Sequence, residues 1–125
     1  MLGSPRYPEF VERCIAQNHA KISFKLPADL SYLDGHFPEF PILPGVVQLH
    51  WAVELAQEIF GINSLVSHGS QIKFSNVITS SEVIYELNLV YNSDKNMCSY
   101  RYKSQEKVYS SGNIHYSSPL KTGDK

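Results

Sequence analysis

Three prolines at a spacing of three, Pro38, Pro41 and Pro44, run directly into an apolar segment that begins at Gly45. No other part of the chain restricts its backbone as strongly. Each proline fixes its own φ, and each pushes the residue before it (Phe37, Phe40 and Leu43) out of the helical region. The stretch from Pro27 to Leu43 therefore reads as a stiff, extended connector that holds His36 in one place. Pro44 suits the first turn of a helix, where its missing N–H costs nothing. Val46 to Phe60 contains neither proline nor glycine and reads as a helix, with Gly61 as its C-terminal cap. Val46, Val47, Leu49, Trp51, Ala52, Val53, Leu55, Ala56, Ile59 and Phe60 cover most of its circumference. Such a helix has to be wrapped by other structure.

The wrapping is expected from strands. His19 to Leu26 places Ile22, Phe24 and Leu26 on one face, the alternation of a half-buried strand. Ser70 to Phe74, Glu82 to Tyr91, Met97 to Lys103 and Lys107 to Tyr116 are further strand candidates. Ser93 to Asn96 and Gln105-Glu106 read as hairpin turns between them. Tyr85, Tyr91, Tyr100, Tyr102, Tyr109 and Tyr116 suit a sheet. Phe10 to Ala16 reads as a short helix. The sum is an α+β domain in which a curved antiparallel strand meander wraps one long central helix. A single domain is expected over residues 1–118, with Met1 to Pro8 loosely ordered and 119–125 a disordered polar tail.

A chain of 125 residues with 42% hydrophobic content can build one real core. The formal charge of −1, with 18% charged residues, gives no nucleic-acid footprint. No apolar run is long enough to span a membrane, and no signal peptide begins the chain, so a soluble cytoplasmic protein is expected. Cys14 and Cys98 are isolated and lack metal-ligand spacing; they read as separate reduced thiols. His19, His68 and His115 are scattered and likewise form no metal pattern.

The chemistry concentrates around the connector and the helix start. Gly45 lacks a side chain, so a ligand can approach the backbone closely there. Free amides from Gly45 to Val47 can point at an oxygen that gains negative charge. A rigid histidine facing such donors is what enolate chemistry on a thioester requires.

Gly35-His36-Phe37-Pro38-Glu39-Phe40-Pro41-Ile42-Leu43-Pro44-Gly45-Val46 matches the pattern G-H-F-P-x-x-P-x-x-P-G-V at every fixed position. In this it resembles the active-site segment of the FabA/FabZ-type 3-hydroxyacyl-(acyl carrier protein) dehydratases, which have the hotdog fold. The Pro-Ile-Leu-Pro-Gly-Val-Val-Gln-Leu run is most similar to the short single-hotdog dehydratases of aryl-polyene pathways. The resemblance is dense from about residue 30 to 60; beyond it, Gln71-Ile72-Lys73-Phe74 is similar to the strand that follows the helix in these enzymes.

The resemblance implies roles residue by residue. His36 removes the C2 proton of the acyl chain, and the Gly45 amide holds the thioester carbonyl. Val46 and Phe37 line the substrate site. The second catalytic group of the family is an Asp or Glu at the position occupied here by His50, which is the main departure from the pattern. An imidazolium can replace that acid if a carboxylate keeps it charged, and Glu54 lies four residues on, within side-chain reach. Either His50 is the acid with Glu54 orienting it, or Glu54 has itself taken over the role. The first is preferred, because one helical turn, about 5.4 Å, is a large displacement for a catalytic group. A polar stripe of His50, Glu54, Gln57 and Glu58 is also what a plain solvated helix face looks like.

The implied reaction is elimination of water from a 3-hydroxyacyl thioester to give the trans-2-enoyl thioester. It needs no metal or redox cofactor, because the substrate arrives on the phosphopantetheine arm of an acyl carrier protein. Arg13, Lys21, Lys73, Arg101 and Lys103 are candidates for docking that acidic partner. The implied assembly is a homodimer, or a heterodimer with another hotdog protein, in which each site combines His36 of one protomer with helix residues of the other. Two alternatives stay open: a hotdog thioesterase centred on Glu54, and a catalytically silent subunit that pairs with an active one.

Overall fold

Residues 9–26, 43–78, 83–105 and 107–117 are described by the structure, a computed structural model. Six strands, β1 (Glu9–Ile15), β2 (His19–Lys25), β3 (Val66–Phe74), β4 (Tyr85–Asn92), β5 (Met97–Ser104) and β6 (Lys107–Tyr116), form one sheet. The helix α1 (Gly45–Phe60) lies between β2 and β3 in the chain. The strand order is β1-β2-β4-β5-β6-β3, and every neighbouring pair is antiparallel.

The core forms where alternation turns apolar side chains of the central strands toward the helix. Ile22 and Phe24 of β2, Leu87 and Leu89 of β4, Tyr100 and Tyr102 of β5 and Ile114 of β6 are buried together with Val47, Trp51, Ala52, Leu55 and Ala56 of α1. Trp51 anchors this contact, its ring meeting Phe24 edge-on with centroids 6.1 Å apart. Phe24 in turn meets Tyr102 edge-on at 5.9 Å and stacks on Tyr85 at 5.7 Å. Aromatic pairs in such geometries add roughly 0.5–1.5 kcal/mol each beyond the area they bury. The expected α+β arrangement of one helix on an antiparallel sheet is thus the observed one.

Three details differ from expectation. Residues 10–16 are not helical, because Glu9–Ile15 pairs with β2 from Glu9↔Lys25 to Ile15↔Ala20. A helix this short has to meet its nucleation cost alone, whereas a strand beside β2 gains a ladder at once. Second, the later strands do not form a meander in chain order: β4, β5 and β6 do, while β3 crosses to the far edge and pairs with β6. β3 is also longer than expected, reaching back to Val66, and bulges between Ser70 and Lys73 with Gln71 at φ 54. Third, Pro44 caps the helix from outside its first turn, in extended conformation, and Gly45 is the first helical residue. At the other end Gly61 takes the left-handed conformation, φ 65, which only glycine adopts at little cost. The turn at Ser93–Lys95 is a single 3₁₀ turn, closed by Asn96 in the same left-handed region.

Candidate active site

The helix start follows from its sequence. Pro44 offers no side-chain cap, and no acidic residue lies in the first turn. The Pro44 carbonyl accepts from the amides of Val47 and Gln48 at 3.1 and 3.2 Å. Of the three amides expected to be free, Val47 is therefore already occupied. Those of Gly45 and Val46 have no partner among the described residues. Amides left over at a helix N-terminus carry the positive end of its dipole and suit an oxygen bearing negative charge.

One turn further on, His50 and Glu54 meet on the helix face turned away from the core. His50 Nε2 lies 3.3 Å from Glu54 Oε2, and both side chains are roughly half exposed. Their spacing of four residues brings the two ends together on one face. Val46, on the same side one turn earlier, is 73% exposed, unusual for a valine on a central helix. The pair expected from the sequence is thus formed, beside the unpartnered amides and an apolar residue. An imidazole held against a carboxylate is oriented to pass a proton along a fixed direction. His36 and Phe37 lie outside the described residues.

On the core side of the same turn, Gln48 is buried and fully engaged. Its Nε2 donates to the Leu43 carbonyl at 3.1 Å, and its Oε1 accepts from Ser110 Oγ at 2.7 Å. The Gln48 carbonyl also accepts from the Tyr102 hydroxyl at 2.7 Å. Sequence reasoning gave Gln48 no role. The available signal was its angle: at about 100° per residue, position 48 falls off the polar stripe of His50 and Glu54. Phe74, half-exposed at the end of β3, lies against Gly45.

The profile of the family described as "ApeI-like: ApeI dehydratase" matches residues 12–113. The chain belongs to this ApeI-like dehydratase family. Its structure is similar to that of the dehydratase heterocomplex ApeI:P from Xenorhabdus doucetiae, at 27% identity and TM-score 0.83, over 90% of this chain and 99% of that one. It is also similar to an uncharacterized protein from Erwinia carotovora subsp. atroseptica, at 23% identity and TM-score 0.80, over 92% and 99% of the two chains. A dehydratase domain from the CurK module of curacin polyketide synthase aligns at 15% identity and TM-score 0.63, over 92% of this chain and 44% of that one. No curated protein matches the chain significantly. The fold of this ApeI-like dehydratase is the hotdog.

The remaining candidates sort by register. Trp51 is a core residue, as expected. Cys14 and Cys98 are free thiols, one exposed and one buried. Burial pushes the Cys98 thiol up to about 12. His68 and His115, far apart in sequence, stack across β3 and β6 with centroids 4.3 Å apart and planes within 5°. No metal-binding group forms among the described residues. Among them, too, no helix is long and apolar enough to cross a membrane.

Proposed function

We propose that this dehydratase removes water from a 3-hydroxyacyl thioester carried on an acyl carrier protein, giving the trans-2-enoyl thioester. The observation that carries the reading is the His50–Glu54 pair, placed one helical turn from the Gly45 and Val46 amides, which have no partner among the described residues. In this reading the thioester carbonyl sits at those amides, which stabilise the charge that gathers on its oxygen as the C2–H bond breaks. His36 takes the C2 proton, the role that the sequence resemblance implies for it. The electron pair forms the C2–C3 double bond as the C3–O bond breaks, and the His50 imidazolium protonates the departing hydroxyl to water. Glu54 orients His50. The reaction is redox-neutral and acid–base in character, so these groups suffice without a metal.

A half-exposed acid–base pair is a poor place for chemistry that has to exclude water. Exposure of His50, Glu54 and Val46 on one face supports completion of the site by a second hotdog protomer. That protomer is a second copy of this chain or a related subunit; the similarity to the ApeI:P dehydratase heterocomplex favours testing the second arrangement directly.

The test offers 3-hydroxyacyl thioesters on a carrier protein and follows both enoyl product and released thiol. Enoyl formation without thiol release supports dehydration, while thiol release without enoyl product turns the reading toward thioester hydrolysis. Absence of turnover by the chain alone, with turnover restored by a second hotdog subunit, identifies the paired form as the working enzyme.

A further inference from the structure

Gln48 and Ser110 are the buried polar side chains among the described residues apart from tyrosines, 3% and 0% exposed, and they bond to each other. Burying an amide in an apolar core is unfavourable unless every polar atom finds a partner. Both ends of the Gln48 amide do. Oε1 takes the Ser110 hydroxyl of β6, and Nε2 reaches back to the carbonyl of Leu43. Leu43 directly precedes Pro44 and the helix, and its own amide donates to the Ile78 carbonyl at 2.9 Å. Both backbone polar groups of Leu43 are therefore held, one by the chain after β3 and the other by Gln48.

The helix has no side-chain cap to set its first turn. Gln48 takes over that work from inside the core. It ties the helix to β6 through its side chain and to β5 through its carbonyl, which accepts from Tyr102. A leucine at position 48 would bury equally well and keep the carbonyl bond from Tyr102, but would lose both side-chain ties, to Leu43 and to Ser110.

We propose that Gln48 is a positioning residue for dehydration: by bridging Leu43 and Ser110 it fixes, against the sheet, the start of the helix that carries Gly45, Val46 and His50. This rests on the dehydratase reading above, and it adds a requirement absent from that reading. The hydrogen-bond roles give it a chemical signature. A glutamate at position 48 has the same shape. Protonated, it can donate to Leu43 and accept from Ser110, as the amide does. Ionised, it can only accept, and it then faces the Leu43 carbonyl with a repulsive charge. Burial favours the protonated form and carries it toward neutral pH.

The test compares wild type, Gln48→Leu, Gln48→Glu and Ser110→Ala, each assayed on the 3-hydroxyacyl carrier thioester. Gln48→Leu is expected to lower kcat at least about tenfold while KM changes less than about threefold, since misplaced groups impair the chemical step more than binding. Ser110→Ala should show a smaller loss of the same kind. Gln48→Glu should regain activity on the acid side and lose it with rising pH, relative to the wild-type profile. Amide hydrogen exchange across residues 43–55 needs no substrate, and Gln48→Leu and Ser110→Ala should speed it in the first helical turn. Unchanged exchange in both, normal kcat in Gln48→Leu, or a Gln48→Glu profile parallel to wild type would each overturn the proposal. Failure of wild type to dehydrate the thioester would strike the proposed function instead, and the exchange result would still decide whether Gln48 anchors the helix start.

Discussion

The Phe74 ring fills the space that a side chain on Gly45 would occupy: a Cβ there would come within 2.6 Å of Phe74 Cε1. Gly45 thus has two possible reasons to be glycine, packing against Phe74 and close approach of a thioester to its amide. They separate energetically. Phe74 is 55% exposed, and the clashing atoms are at the tip of its ring, which can swing toward solvent. Alanine also gains helix propensity over glycine, less at this first helical position than the roughly 0.8–1.0 kcal/mol of a helix interior.

Gly45→Ala should therefore leave thermal stability within about 1 kcal/mol of wild type, by the partial cancellation of overpacking and propensity. Its turnover should fall much further. Combining it with Phe74→Ala tells the two reasons apart. If the methyl itself crowds the thioester, activity stays low in the double variant; if the displaced ring were the problem, activity would return. The first outcome is expected, measured as kcat/KM for the four proteins of the cycle.

His50 and Glu54 are partners in geometry and are expected to be unequal in chemistry. His50→Gln should lower kcat by about 10²–10⁴, the usual worth of a positioned general acid. Glu54→Gln removes only the orienting charge and should cost less. His50→Asp, which puts a carboxylic acid at this position, should keep more activity than His50→Gln. All three should melt close to wild type, because a half-exposed ion pair contributes about 0–1 kcal/mol. A deeper loss from Glu54→Gln than from His50→Gln would assign the acid to Glu54.

How far this arrangement was legible in the sequence varied with burial. Ile22 and Phe24, like Leu87 and Leu89, alternate because one face of their strands meets the helix, and their strands were readable. Phe10 to Ile15 lies on an edge strand whose described side chains are all exposed, so no alternation was imposed on it. Its apolar residues fall four apart instead (Phe10 with Cys14, Val11 with Ile15), which imitates a helix. β3 is the other edge, and its polar first half, Ser67 to Ser70, carries no strand signal for the same reason. The His50–Glu54 pair follows from helix spacing alone. The Gln48–Ser110 bond does not, because only the fold brings positions 48 and 110 together.

Burial also sets an alkaline limit on stability. The Cys98 thiol is pushed by burial from 9.0 to about 12, and burial raises the Tyr100, Tyr102 and Tyr116 hydroxyls as well. For each, ionisation is harder in the folded chain than in the unfolded one. Below about pH 9 both states stay protonated and the full stability is present. Above it the unfolded chain releases protons that the folded chain retains, so stability falls as pH rises toward 12. Melting temperatures are expected to hold from pH 7 to about 9 and then decline steadily. In the native protein near pH 8, a maleimide should label exposed Cys14 alone, and Cys98 only after unfolding. Labelling of Cys98 at the rate of Cys14 would contradict the burial described here.

The sheet register collects most of the cations suggested for carrier-protein docking. Lys73 pairs with Ser111, Ser111 with Arg101, Arg101 with Asn88, and Asn88 with Lys21, so three cations share one row across the sheet. Arg101 and Lys73 are exposed and flank a recess that Ser99, Ser111 and Asn113 also line. Arg13 is not available in the same way, since it lies 3.6 Å from Glu58 of the helix. If this face meets an acidic carrier protein, Lys73→Glu combined with Arg101→Glu should raise KM for the carrier-borne substrate several-fold while leaving kcat near wild type. The same variant should handle a short pantetheine thioester normally, because that substrate reaches the helix start without the carrier. Raising salt should weaken the wild-type KM for the carrier-borne substrate and leave the variant almost unaffected, as expected when the exposed charges being screened are the ones removed. Equal effects on both substrates would place the fault in the site itself and remove this face from carrier recognition.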